Sequence, residues 1–260
     1  MSVEPVADRS VERAVGRLRV RGFTSRLAMA ETAAAEIGAT LRRLLASQPA
    51  VRMIFAAAPS QADTLAALRR APGIDWSRVT AFHMDEYIGL APGAPQRFAV
   101  WLDAHVFTRL PFAAVHRIVP EPDPAAAIAR YAALLNEAPN DVVCLGIGVN
   151  GHLAFNDPPV ADFADPLDVK RVDLDLACRQ QQVDDDCFAT LAEVPRQAIT
   201  LTIPLLMRGR HLFCVVPGRS KRAAVAAALT GPIAPACPAS VLRTHPDCTL
   251  YLDPESDPDA

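Results

Sequence analysis

The run Asp141-Val142-Val143-Cys144-Leu145-Gly146-Ile147-Gly148-Val149-Asn150-Gly151-His152-Leu153-Ala154-Phe155-Asn156-Asp157-Pro158 changes character halfway along. Asp141 to Ile147 is a short, nearly continuous apolar stretch, the pattern of a strand buried on both faces. Beyond it comes a loop rich in glycine that carries a histidine and a carboxylate. Closely placed glycines let backbone approach a ligand or adopt positive φ. His152 supplies a base near neutral pH, and Asp157 is a candidate to orient its ring by accepting from one nitrogen. The glycines do not make a dinucleotide fingerprint, because no helical pattern follows Gly146, Gly148 and Gly151.

Working outward, the same alternation of apolar run and helix repeats. Upstream, helical spacing over Leu27 to Leu45 precedes a strand-like run at Val51 to Ala58. Ser60 then stands where a helix N-cap is expected, before a helical stretch from Thr64 to Arg70. Val79 to Met84 reads as another strand, and Phe98 to Leu110 and Pro124 to Leu135 read as helices. Downstream, Ile199 to Leu201, His211 to Val216 and Thr249 to Leu252 read as strands, with an Ala-rich helix from Lys221 to Leu229. The expected fold is α/β, a mostly parallel sheet with helices on both faces, doubly wound and Rossmann-like. One α/β domain is expected over residues 1–260, with residues 1–25 as a polar, irregular N-terminal extension.

Composition excludes several classes. The chain has 260 residues, 51% hydrophobic and 21% charged, a balance suited to a buried core rather than to disorder. A net charge of −3 gives no electrostatic case for nucleic acid. Arg17, Arg19 and Arg21 read as a solvated face or the start of a strand. The six cysteines match neither zinc spacing nor a compact disulfide framework, which points to a reduced, cytoplasmic protein. Met1 to Ser10 carries Glu4 and Asp8 and lacks the apolar stretch of a signal peptide. No apolar run is long enough to span a membrane.

Open parallel sheets bind ligands beyond the carboxyl ends of their strands, and the chemically loaded segments fall there. Phe82-His83-Met84-Asp85-Glu86-Tyr87-Ile88-Gly89-Leu90 sets two adjacent carboxylates at a strand end. A carboxylate beside a sugar carbon can remove a proton alpha to a carbonyl and return it elsewhere, the core of aldose–ketose isomerisation. The bland alternative is that Asp85 caps a turn and Glu86 is solvated. Gly218-Arg219-Ser220-Lys221 leads from a strand into a helix, where free N–H groups and a lysine together suit an anion. Arg179 is a candidate bidentate phosphate clamp.

Together these segments resemble the glucosamine-6-phosphate deaminase/isomerase family, whose superfamily includes 6-phosphogluconolactonase. The family's M-D-E-Y-x-G-L is unbroken from Met84 to Leu90, and its G-x-G-x-D-G-H-x-A-F-N-E-P loop is matched from Gly146 to Pro158 except at two positions. G-x-x-K is matched at Gly218 to Lys221, and P-A-S-x-L followed by H-P at Pro238 to Leu242 and His245-Pro246. The resemblance implies that Asp85 moves a proton between C2 and C1 through an enediol-type intermediate, with Glu86 beside it. It implies that His152 helps open the sugar ring, supported by Asp157 and by Asn150. Ser60, Gln61, Gly151, Arg179 and Lys221 are implied to bind the substrate and its phosphate. Glucosamine 6-phosphate and water would give fructose 6-phosphate and ammonia, without metal or cofactor. A small sugar phosphate is the expected partner, with a possible homo-oligomer and with residues 165–188 as a lid.

Three departures from the pattern touch the site. The aspartate before G-H is Asn150, which can hold a neighbour but carries no charge. The glutamate after F-N is Asp157, one methylene shorter. The first phosphate loop reads Ala57-Ala58-Pro59-Ser60-Gln61, where proline removes a donor. These leave open an isomerase or hydrolase acting on another sugar phosphate, as a 6-phosphogluconolactonase does, and a non-catalytic sugar-phosphate sensor.

Overall fold

The computed structural model describes residues 11–260; the stretch 1–10 lies outside the described residues. In chain order the elements are β1 (Val11–Val15), β2 (Leu18–Gly22), α1 (Arg26–Ser47), β3 (Val51–Phe55), α2 (Ala62–Arg70), β4 (Val79–His83), β5 (Asp85–Tyr87), α3 (Phe98–Leu102), β6 (Ala114–Val115), α4 (Pro124–Asn136), β7 (Val142–Leu145), β8 (Val169–Asp173), α5 (Leu176–Asp184), β9 (Gln197–Leu201), α6 (Ile203–Met207), β10 (His211–Val216), α7 (Arg222–Thr230) and β11 (Cys248–Leu252). The main sheet runs β1-β2-β11-β10-β7-β3-β4-β6, and every pairing in it is parallel except β1 with β2. A small antiparallel sheet runs β5-β9-β8.

Period-two alternation explains why the central strands read as solid apolar runs. Met53 and Phe55 of β3, Cys144 of β7 and Val215 of β10 face the side covered by α1 and α2. Ile54, Val143, Leu145 and Cys214 face the side covered by α4, α6 and α7. Both faces of each strand are therefore buried, so no polar alternation survives in the sequence. From β3 the chain moves out to β4 and β6, then returns to lay β7 on the opposite side of β3. The carboxyl ends of β3 and β7 thus flank a switch in strand order, where open α/β sheets form their crevice.

The expected fold class holds, with local corrections. Residues 11–22 are not irregular: they form the β1–β2 hairpin, and β2 joins the main sheet beside β11. Arg19 and Arg21 lie on that strand, Arg19 bonding Thr249 Oγ1 and Arg21 pairing with Glu36. The helix expected from Phe98 to Leu110 is α only as far as Leu102, and a wider π turn occupies 103–107. Ile199 to Leu201 does belong to a strand, but to the small antiparallel sheet rather than the parallel one. Residues 165–188 hold β8 and α5.

Candidate active site

The strand at Val79 ends at His83 because the chain there leaves one sheet for another: Met84 is the single residue between β4 and β5. His83 fixes this crossing. Its Nδ1 lies 2.9 Å from the Asp85 carbonyl, and its Nε2 accepts from Ile118 N at 2.8 Å. Full burial pushes its pKa down to about 3, so the ring is a neutral brace. Asp85 emerges at the start of β5, paired across the register with Thr200 of β9. Its carboxyl is buried in the crevice wall, and burial, with the adjacent Glu86 charge, pushes its pKa well above the carboxylate range.

The opposite wall is the loop after β7. His152 packs its ring directly over Gly148, where any Cβ would collide with the imidazole. The ring's Nδ1 lies 2.9 Å from Asp157 Oδ1, off the axis of a straight hydrogen bond. Asp157 also accepts from Asn150 Nδ2 at 2.9 Å and from Asp175 N at 3.2 Å. Burial raises the Asp157 pKa, but His152, Asn150 and the Asp175 N–H outweigh it and hold the carboxylate below its ordinary range. The Asn150 carbonyl in turn accepts from His152 N at 3.1 Å. Asn150 therefore braces the loop, a task that an amide does with both ends. The loop is anchored to β9 as well: Phe155 N donates to Thr200 Oγ1 at 3.1 Å and Asn156 Nδ2 to Leu201 O at 2.8 Å.

Between these walls, the ends of β3 and β10 supply Ser60, Gln61 and Lys221. Ser60 caps no helix; it sits in a tight turn, Pro59–Gln61, that runs straight into α2. Gln61 donates to Val215 O at 3.0 Å, tying that turn to β10. Gly218, at φ 95°, turns the chain from β10 toward α7 and sends its N–H to Asp253 at 3.0 Å. Lys221 reaches the crevice with its Nζ buried and without a hydrogen-bond partner. Burial pushes its pKa down, opposed chiefly by the charge of Asp185.

Several expected site residues lie elsewhere. Glu86 is fully buried and points away from the crevice, accepting from Tyr87 N, Phe98 N and Ala99 N at 2.9, 3.2 and 3.0 Å. It pins the start of α3 rather than moving protons. Burial pushes its pKa up to about 7 against those three N–H groups and Arg97. Arg179 is no phosphate clamp in this structure: its guanidinium donates to Leu191 O at 2.6 Å and Val194 O at 3.0 Å. Gly151, at φ 85°, is a turn residue packed on Cys237, outside the crevice lining.

In place of Arg179, α5 presents Gln181 and Gln182 to the crevice, with Asp185 at its C-cap. Gln181 accepts from Val149 N at 2.9 Å and donates to Asp185 at 3.2 Å. The sequence reading missed these three. The available signal was the spacing 178, 181, 182, 185, one face of a helix, from which Arg179 is rotated by about 100°.

This arrangement can hold an anion at Lys221, move a proton at Asp85, and move another at His152. The profile of the family described as glucosamine-6-phosphate isomerases/6-phosphogluconolactonase matches residues 24–165. A glucosamine-6-phosphate deaminase of Leuconostoc citreum is 34% identical over 183 residues, 69% of this chain and 76% of that protein. One from an Exiguobacterium species is 36% identical over 183 residues, covering 69% of each. Among solved structures, a monomeric glucosamine-6-phosphate deaminase superposes with a TM-score of 0.84 at 25% identity, over 91% of this chain and 98% of that one. A 6-phosphogluconolactonase from Thermotoga maritima shares the fold, with a TM-score of 0.74 at 16% identity over 90% and 98% of the two chains. On its profile match and on these relatives, the chain belongs to the glucosamine-6-phosphate isomerase/6-phosphogluconolactonase family.

Proposed function

We propose that this protein is an amino-sugar phosphate isomerase/deaminase that converts glucosamine 6-phosphate and water to fructose 6-phosphate and ammonia. The observation that carries the reading is a buried carboxyl, Asp85, facing a carboxylate-backed imidazole, His152, across a crevice with an uncommitted ammonium, Lys221. Lys221 receives the phosphate. His152 exchanges a proton with the ring oxygen as the sugar opens. Asp85, as carboxylate, takes the C2 proton and returns it to C1 through the enediol-type intermediate, after which water releases ammonia. Asp157 and Asn150 hold His152 in position.

The names of the Leuconostoc citreum and Exiguobacterium relatives support this substrate over a lactone. All these groups come from one chain, and the solved deaminase is monomeric. We infer a site complete within one α/β unit, with residues 165–188 acting as its lid through α5. No described helix is long and apolar enough to cross a membrane, and the free thiols fit a reduced, cytoplasmic setting. The test is to supply glucosamine 6-phosphate to purified protein and assay ammonia and fructose 6-phosphate, with Asp85→Asn as control. Equal turnover by the variant, or release of neither product, overturns the reading.

A further inference from the structure

We propose that Cys178 is a positioning residue, its thiol donating to the Asp157 carboxylate and thereby setting how strongly that carboxylate draws on His152. Sγ of Cys178, a carboxylate oxygen of Asp157 and a ring nitrogen of His152 all lie within 4.8 Å of one another. Cys178 is fully buried, one helical turn beyond Asp175, whose N–H already binds Asp157. The first turn of α5 thus brings two groups to the same carboxylate, one backbone and one side chain.

An ionised carboxylate offers about four acceptor sites. Asn150 Nδ2 and the Asp175 N–H occupy two around Asp157, and His152 Nδ1 approaches a third at 2.9 Å, off the axis of a straight bond. Asp157 is only 1% exposed, so bulk water does not reach the fourth, and an unserved lone pair on a buried anion is costly. The thiol is the donor at hand. It stays protonated, because burial and the neighbouring Asp157 and Asp85 charges push its pKa well up. Other charged or titratable groups near the imidazole are Asp85, Asp185 and Lys221 across the crevice, Asp175 at the start of α5, and Cys237 against Gly151. Among the described residues, none of these side chains donates a hydrogen bond to Asp157. Without the thiol, Asp157 shares less of its charge and holds the imidazolium proton more tightly.

The test follows the His152 ring resonance by NMR across pH in the parent, Cys178→Ala and Cys178→Ser, the resonance being identified by its loss in His152→Gln. In the alanine variant the midpoint should rise by about half a unit to one unit. The serine variant, which restores a donor, should titrate with the parent. The pH profile of kcat should move with the midpoint while KM stays constant. An alanine midpoint equal to the parent's, or a serine midpoint displaced as far as alanine's, overturns the proposal. Should alanine prevent folding, the infrared S–H band that Cys178→Ser removes decides: a lowered frequency supports donation, and that of a free thiol refutes it. The rate profile rests on the deaminase reading, whereas the NMR and infrared readouts do not, so failure of one is distinguishable from failure of the other.

Discussion

Replacing Lys221 with methionine should move stability and binding in opposite directions. In the free protein the ammonium is buried, has no hydrogen-bond partner, and is pushed toward deprotonation by burial. Leaving a polar group in that condition costs about 1–3 kcal/mol in proteins, and the Asp185 charge nearby offsets part of it. Methionine keeps the length and apolar stem without the charge. A gain of about 1 kcal/mol, or about 2–4 °C in Tm for a chain of this size, is expected. A charge-assisted hydrogen bond is worth about 1.5–3 kcal/mol, so KM should rise roughly 10- to 150-fold. Thermal melts in phosphate-free buffer and then with inorganic phosphate separate the two effects. The parent should gain Tm with phosphate, and the variant should start higher and gain little. A variant that melts lower without phosphate, yet keeps the phosphate-dependent rise, would refute the reasoning.

Asp85→Asn should lower kcat by about 10²- to 10⁴-fold, the usual worth of general acid–base catalysis. Because the native carboxyl holds its proton above the ordinary range, its contribution to stability is present at low pH and lost as pH rises through that window. The parent's kcat/KM should therefore rise with pH above the usual carboxylate range, and the variant should be the more stable protein at neutral pH. Glu86→Ala orphans three buried N–H groups and should cost about 3 kcal/mol or more, read by urea unfolding. Glu86→Gln should remove the parent's loss of stability between pH 4.5 and about 7, the interval over which the folded carboxyl retains a proton that the unfolded one releases. Arg179→Ala should lose about 2 kcal/mol of stability through its two carbonyl contacts with KM unchanged; a large KM increase would return it to the phosphate site. Asp185→Asn removes an acidic neighbour of Lys221 and should lower KM about two- to fivefold.

The central strands were legible because burial on both faces leaves continuous apolar runs, and the crevice because Asp85, His152 and Lys221 each follow such a run. Of the small sheet only β9 was legible, as Ile199 to Leu201. β5 is three residues long and β8 reads Val-Lys-Arg-Val-Asp, so neither offers the apolar density that marks a central strand. Glu86 was misread because adjacency to Asp85 in sequence is opposition in a strand: consecutive side chains point to opposite faces. Arg179 was misread by charge alone, whereas the helical phase of α5 turns Gln182 inward and Arg179 toward the carbonyls of Leu191 and Val194. Asn150 was read as able to hold a neighbour without charge; that it does so with both ends of its amide was not legible.

One strand acts as the common datum for the two walls of the crevice. Thr200 of β9 is the register partner of Asp85, and its hydroxyl accepts from Phe155 three residues beyond His152. Its neighbour Leu201 repeats the arrangement, taking Asn156 on one side and donating its own N–H to Met84 O at 2.8 Å on the other. The span between Asp85 and His152 is thus gauged from two consecutive residues rather than accumulated across the main sheet. A shift of β9 carries both walls together and keeps the gap. The end of the crevice that holds Lys221, mounted on β3 and β10, has no share in that gauge, so the crevice can lengthen or shorten there while the spacing of Asp85 and His152 stays constant.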